Sequence, residues 1–164
     1  MATAGRLQNV ENRTMVNLPH DYVQTIKNIH KEDGEVWLKN FDALIDYCET
    51  KWKLKVLPPF ELSYNFVAPA NKEDGGQVVL KLSVPNKEFH YEVEALRYFA
   101  GNGMVRIIDT EVEKGILILE RLTPGNTLAS HEDDLEATEI AAAIMGSLWI
   151  PETSGSNLPV IEER

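Results

Sequence analysis

One lysine, Lys81, stands inside an otherwise apolar run, Val78-Val79-Leu80-Lys81-Leu82. A short run rich in β-branched residues reads as a strand, and the triplet Val78-Val79-Leu80 suggests burial on both of its faces. An ammonium held among such neighbours needs an acid beside it. The next element in the chain offers two. A helix is predicted from Asn86, a side chain suited to cap it, to Ala100, with Gly101 ending it. It carries Glu92 and Glu94. Two short apolar strands follow, Met104 to Asp109 and Ile116 to Glu120, with Glu113-Lys114-Gly115 turning between them. The second runs into Glu120-Arg121-Leu122 and then Pro124-Gly125.

The residues before this stretch complete a sheet. Trp52 to Leu57 predicts a short edge strand stopped by Pro58-Pro59. Tyr64 to Ala68 predicts a second strand, and Asn71 to Gly76 a hairpin turn into the lysine strand, Gln77 to Ser83. Ahead of these lie two amphipathic segments. Tyr22, Val23, Ile26 and Ile29 recur at helical spacing, and so do the apolar residues between Val36 and Lys51. Glu32-Asp33-Gly34 reads as the glycine turn joining them. A trailing helix is expected from Asp134 to Ser147, then a loop through Pro151, Gly155 and Pro159. No internal repeat is visible. The fold class is therefore α+β: a five-stranded antiparallel sheet with one packed helix, two preceding helices and one trailing helix. Residues 1–17 read as a disordered tail, 18–122 as the sheet-bearing lobe with its leading helices, and 123–164 as the exit from that lobe and the start of another.

Composition narrows the function classes. Of 164 residues, 43% are hydrophobic and 26% charged, enough for a core and a soluble surface. A formal net charge of −10 argues against a nucleic-acid surface, which needs clustered Lys and Arg. No run approaches a membrane span and no signal-peptide pattern opens the chain. Cys48 is the only cysteine, which excludes an internal disulfide and fits a cytoplasmic setting. It reads as a small core residue, not a reactive thiol.

A lysine strand, a glutamate helix, a strand pair and a connecting segment are the order of the nucleotide-holding half of a protein kinase-like fold. There a lysine at the end of a buried strand holds phosphates, and a glutamate on the following helix orients it. Helical spacing alone leaves Glu92 and Glu94 both open as the partner. Glu120 to Leu122 then falls where such a fold reads adenine with backbone groups, the Glu120 carbonyl and the Leu122 amide, with Leu119 lining the pocket. Phe60 to Asn65 falls where a loop would cover the phosphates. It has no glycine, but Ser63, Asn65 and backbone amides supply donors. His131-Glu132-Asp133 imitates the H-x-D of a catalytic loop. That loop also needs Asn five residues after the Asp, where this chain has Thr138. It reads instead as the acidic start of the trailing helix. A metal site there is not expected, and His20, His30 and His90 have no visible triad partners.

With these residues in hand, the chain resembles the aminoglycoside phosphotransferase superfamily, in its streptomycin 6-kinase and hydroxyurea-resistance kinase branch. The likeness runs from Leu18 to Val160 through LPHDYV, GEVWL, KWKL, PPFELSYNFV, DGGQVVLKL, EVEALRYFAGNGMVRIID and GILILERLTPGNTL. It implies ATP as cofactor, with Mg²⁺, and a small hydroxyl-bearing acceptor for the full-length parent. It implies that Lys81 binds the phosphates, that Glu92 pairs with it, and that Glu120 to Leu122 is the hinge holding adenine. Members of that family go on to a helical lobe supplying an H-x-D-x-x-x-x-N loop, whose Asp is the base and whose Asn binds the metal. No such loop is found in these residues, so no catalytic base and no metal ligand is assigned here. The expectation is a nucleotide-binding lobe that is inactive alone. The alternative is a non-catalytic nucleotide- or protein-binding module, or a chain that self-associates through Ile144, Met145, Leu148 and Trp149.

Overall fold

A computed structural model describes residues 16–149. Five strands, β1 (Leu54–Val56), β2 (Phe66–Lys72), β3 (Gln77–Leu82), β4 (Ile107–Glu111) and β5 (Ile116–Glu120), form one sheet. Its order is β1-β2-β3-β5-β4 and every pairing is antiparallel. Helices α1 (His20–Lys39) and α2 (Phe41–Trp52) precede it, α3 (Lys87–Phe99) crosses between β3 and β4, and α4 (Asp134–Leu148) follows. This is the expected α+β architecture of a kinase-like N-terminal lobe. No described helix is long and apolar enough to cross a membrane.

Strand alternation divides the sheet between two cores. Val78, Leu80 and Leu82 of β3 point one way, into a large cluster with Phe66, Ile116 and Ile118 and with Tyr22, Ile26, Trp37, Phe41, Ile45 and Cys48 of α1 and α2. Leu117 and Leu119 point the other way, against Phe89, Val93 and Leu96 of α3. The leading helices thus cover the sheet face opposite α3. Each large apolar side chain buried in this way contributes about 1.5–3 kcal/mol. Two-sided burial, expected for β3, belongs to β5 instead. Ile116 through Leu119 are all buried, whereas β3 is buried on one face and half-buried on the other. Both strands are internal to the sheet, and the placing of α3 explains the difference: it packs over Leu117 and Leu119 of β5, while the same face of β3 stays partly open.

Three further boundaries differ from the sequence reading. The leading helices are not joined by a glycine turn at Gly34. The chain leaves helical geometry at Lys31 (φ 52°, ψ −126°), re-enters it, and runs through Gly34 to Lys39. Gly34 is buried, and a Cβ there would lie 2.7 Å from the Ile26 carbonyl oxygen. Its lack of a side chain lets the second half of α1 fold back on the first. The next break comes at Asn40, inside the predicted second helix.

β2 starts and ends later than predicted. It takes in Pro69, whose carbonyl accepts from Leu57 N–H at 2.9 Å. The missing donor of Pro69 therefore faces β1, where that edge strand has already ended at Val56. β4 also begins later, at Ile107, and slips register between Ile107 and Asp109.

α3 begins as its sequence suggests. The Asn86 side chain accepts from Phe89 N–H at 2.8 Å, and Ala100 closes the helix in the left-handed region. The predicted disordered tail lies outside the described residues up to position 15, as does the loop after Trp149. Val16, at the end of that tail, packs against the larger core.

Candidate functional site

The half-open face of β3 carries the candidate site. Val79 and Lys81 alternate onto it together, and the ladder sets Leu119 opposite Val79 and Leu117 opposite Lys81. Val67 of β2 flanks Lys81 on its other side. The lysine side chain is only 16% exposed. Hemmed in by Val67 and Leu117, its ammonium needs a partner, and Glu92 Oε1 accepts from Lys81 Nζ. The choice between Glu92 and Glu94 is decided by the apolar stripe of α3. Phe89, Val93 and Leu96 face the sheet. Glu92 lies three residues after Phe89 and four before Leu96, on the same side of the helix. Glu94 lies off that side and pairs with Arg97 at 3.4 Å. That spacing was present in the sequence.

At the other end of the same face a small cavity of about 220 Å³ opens between the sheet and the segment leaving β5. Val79, Leu119 and Val105 make its apolar walls, and Glu120, Arg121 and Leu122 form its rim. Ligand pockets ordinarily enclose about 300–1,000 Å³. This one has room for a flat ring rather than a whole ligand. Phe60 lines it too, with the Arg121 guanidinium 5.0 Å from the ring centroid. Leu119 is buried, whereas Leu122 is 57% exposed and stands at the mouth.

Glu120 does more than mark a strand end. Its carboxylate accepts from Arg106 N–H at 2.8 Å and from Arg106 Nε at 2.8 Å, while Glu120 N–H donates to the Arg106 carbonyl at 3.0 Å. The Arg106 guanidinium beside it holds this carboxyl below the usual carboxylate range. Arg106, Val79 and Val105 were not picked out from the sequence as site residues, and Phe60 and Arg121 fell inside the expected loop and hinge without a role of their own. The signal for Val79 was its position two residues before Lys81, which a strand places on one face. The others come together only through the fold.

The remaining predicted residues are dispersed. Phe60 N–H donates to the Val67 carbonyl at 3.0 Å, so residues 61–66 form a loop closed at its base. Ser63 is exposed on that loop and does not line the small cavity. Asn65 is half-buried and lines a second, larger cavity that Glu92 also borders. His131 and Asp133 form no catalytic loop. Asp133 Oδ1 caps α4, accepting from Leu135 N–H at 2.8 Å and Glu136 N–H at 3.1 Å. Among the described residues, no three His, Cys, Asp or Glu side chains gather closely enough to hold a metal ion.

On the opposite sheet face α2 is tied to β4. Tyr47 O–H donates to Glu111 at 2.9 Å, Lys51 pairs with the same carboxylate, and the Trp52 indole donates to Asp109 at 2.7 Å. The Lys51 and Tyr47 donors hold the Glu111 carboxyl low, and the Trp52 indole does the same for Asp109. These contacts brace the edge strand that follows the Arg106 clamp.

Comparison with known proteins bears on this geometry. Residues 54–163 match the family model described as aminoglycoside/hydroxyurea antibiotic resistance kinase. Streptomycin 6-kinase of Streptomyces griseus is 33% identical over 136 residues, 81% of this chain and 44% of that protein. Streptomycin 6-kinase of Streptomyces glaucescens is 30% identical over 82% of this chain and 44% of its own length. Hydroxyurea phosphotransferase of Kitasatospora aureofaciens is 28% identical over 82% of this chain and 40% of its own length. The chain thus spans less than half the length of the curated relatives it matches. No solved structure matches it.

Proposed function

We propose, from the premise that the chain belongs to the aminoglycoside/hydroxyurea antibiotic resistance kinases, that the α3 face of its sheet is the nucleotide-holding half of an ATP-dependent phosphotransferase. The observation that carries this reading is the shared face of β3. The small cavity beside Val79 and the Lys81–Glu92 pair lie two residues apart, about 6.6 Å along the strand. A purine lies against Val79 and Leu119, which stand side by side on the sheet face, with the Glu120 carbonyl and the Leu122 amide reading its edge. Lys81, aimed by Glu92, meets the phosphates as a point charge. Ser63 and Asn65 lie on or beside the loop at the phosphate end and offer donors to it. Mg²⁺, when bound with the nucleotide, spreads charge over the phosphate oxygens. The described residues supply no cluster to ligate it.

The acceptor is a small hydroxyl-bearing molecule of the kind named in the relatives, streptomycin or hydroxyurea. Residues 1–164 bind nucleotide but transfer its phosphoryl group at a negligible rate. The only H-x-D sequence spends its Asp133 carboxylate on capping α4, and positioning a base and a metal provides most of the rate in such reactions. On this point the reading converges with a binding module without catalysis. Cys48 takes no part in this chemistry, because it is packed in the core and burial pushes its thiol up to about 12.

The test is titration of the chain with a fluorescent ATP analogue, beside a phosphotransfer assay with labelled ATP and streptomycin. Saturable binding weakened at least tenfold by Lys81→Ala, without transfer, is expected. Binding unchanged in that variant, or no binding at all, overturns the proposal.

A further inference from the structure

One side-chain contact crosses the small cavity beside Val79. Phe60 is tied to β2, its N–H donating to the Val67 carbonyl at 3.0 Å. Arg121 follows directly on β5. β3, the strand carrying Val79, lies between β2 and β5. The Arg121 guanidinium nevertheless rests 5.0 Å from the Phe60 ring centroid. The two side chains therefore meet across β3, and both line the cavity with Val79 and Leu119.

No acid competes with the ring for this guanidinium. The adjacent Glu120 is taken by Arg106, at 2.7 Å and 2.8 Å. Among the described residues Arg121 enters no ion pair. A planar, weakly hydrated guanidinium suits an aromatic face. Arg121 is half-buried and Phe60 is 41% exposed. At such a site the contact favours the closed arrangement over the open one by only about two- to fivefold. A contact of that strength holds a cavity mouth shut without sealing it.

We infer that Arg121 gates the small cavity. Resting on Phe60, the guanidinium covers the ring face that a purine against Val79 and Leu119 needs, and it turns out to solvent before the purine seats. This rests on the nucleotide reading of the same cavity and adds to it the residue that sets the rate of entry. A ligand that binds only the open arrangement binds more weakly in proportion to the open fraction. Removing the gate should therefore strengthen binding about three- to sixfold, through faster association.

A different role, attraction of the phosphates, is disfavoured by position. Lys81 stands opposite Leu117. Arg121 lies four residues beyond Leu117, about 13 Å of extended chain, so it belongs to the ring end of the face. The two roles also have opposite signs. Loss of an attracting charge slows capture of an anion, whereas loss of a gate speeds it.

Stopped-flow mixing of the chain with a fluorescent ATP analogue tests this, beside calorimetric titration with adenosine, whose lack of charge removes the electrostatic contribution. Arg121→Gln should associate with the analogue about three- to sixfold faster, with dissociation little changed, and bind adenosine tighter by the same factor. Arg121→Lys keeps the charge but not the planar stack and should fall between. In the free chain, the ring current of Phe60 should move the Arg121 side-chain proton resonances upfield. That shift should vanish in Phe60→Leu and on adding adenosine. Slower or unchanged association in Arg121→Gln overturns the inference and leaves the nucleotide reading standing. So does faster dissociation without faster association, which would make Arg121 a cap over bound purine, and so does a free chain without the upfield shift. Absence of binding in both the parent and Arg121→Gln overturns the nucleotide reading, and the gate with it.

Discussion

Arg106 and Glu120 hold each other at four points: the Glu120 amide donates to the Arg106 carbonyl, and the Arg106 amide, Nε and guanidinium terminus all meet the Glu120 carboxylate. The approach to β4 is thereby fastened to the end of β5, just where the chain turns out past the small cavity. The arginine stem also lies over Gly101, where a Cβ would come within 2.3 Å of Arg106 Cγ. The α3–β4 connection and the proposed hinge are one mechanical unit.

Glu120→Gln should loosen that unit. The carboxyl is held low by Arg106 in the folded state, so its contribution is present above the ordinary carboxylate range and is lost as pH falls through the lower, folded value. Thermal melts of the parent should therefore lose stability in acid more steeply than melts of Glu120→Gln. Parallel pH profiles would refute the argument. Nucleotide binding should weaken in the variant while the secondary structure is retained.

Glu92→Gln tests the pair beneath the cleft. It leaves the Lys81 ammonium hydrogen-bonded but without a countercharge in a mostly enclosed position. Losing a partly buried partner of this kind should cost about 1–3 kcal/mol in urea denaturation. Glu94→Gln, which removes only a half-exposed contact to Arg97, should cost less than about 0.5 kcal/mol. Equal effects would mean that the carboxylate facing the sheet has no special role.

Gly115→Ala should be among the most damaging small substitutions in the chain. Gly115 has φ +68°, and a Cβ there would lie 2.0 Å from the Ser83 carbonyl oxygen. Both the backbone conformation and the approach of β5 to the end of β3 forbid a side chain. A loss of about 2–4 kcal/mol is expected, measured as a lowered urea midpoint. A near-neutral result would place Gly115 in a slacker loop than described.

Asp133→Ala removes the cap of α4, at a cost of about 1 kcal/mol. No residue of α4 is buried among the described residues, so the effect should stay local. Amide exchange should accelerate across residues 134–148 and hardly elsewhere, and nucleotide affinity should not move. A fall in affinity would restore Asp133 as a site residue.

The apolar surface of α4 predicts association. Leu135, Ile144 and Met145 are exposed on it, and Trp149 just beyond is 90% exposed. Large apolar side chains left exposed near one end of a helix, here Ile144, Met145 and Trp149, are candidates for a docking face. Residues 1–164 alone should form concentration-dependent oligomers by light scattering, and Met145→Lys with Trp149→Glu should shift them to monomer. A monomeric parent would remove that expectation.

Much of this protein could be read from the order of its residues, because that order carries local physics. The apolar period of β3 and β5, the Asn86 cap and the positive-φ glycine before β5 each fix an element by short-range rules. The stripe Phe89, Val93, Leu96 even contained the choice of Glu92 over Glu94. What local rules did not contain was anything set by distant contact. The bend at Lys31 exists because Gly34 can rest on Ile26, and β5 rather than β3 is buried twice because α3 packs on Leu117 and Leu119 and leaves the same face of β3 half-open. The Arg106–Glu120 clamp, the ring-sized cavity and the Phe60–Arg121 contact join residues from separate elements. Sequence spacing determines which face a side chain takes on its own helix or strand. Only packing decides what that face meets.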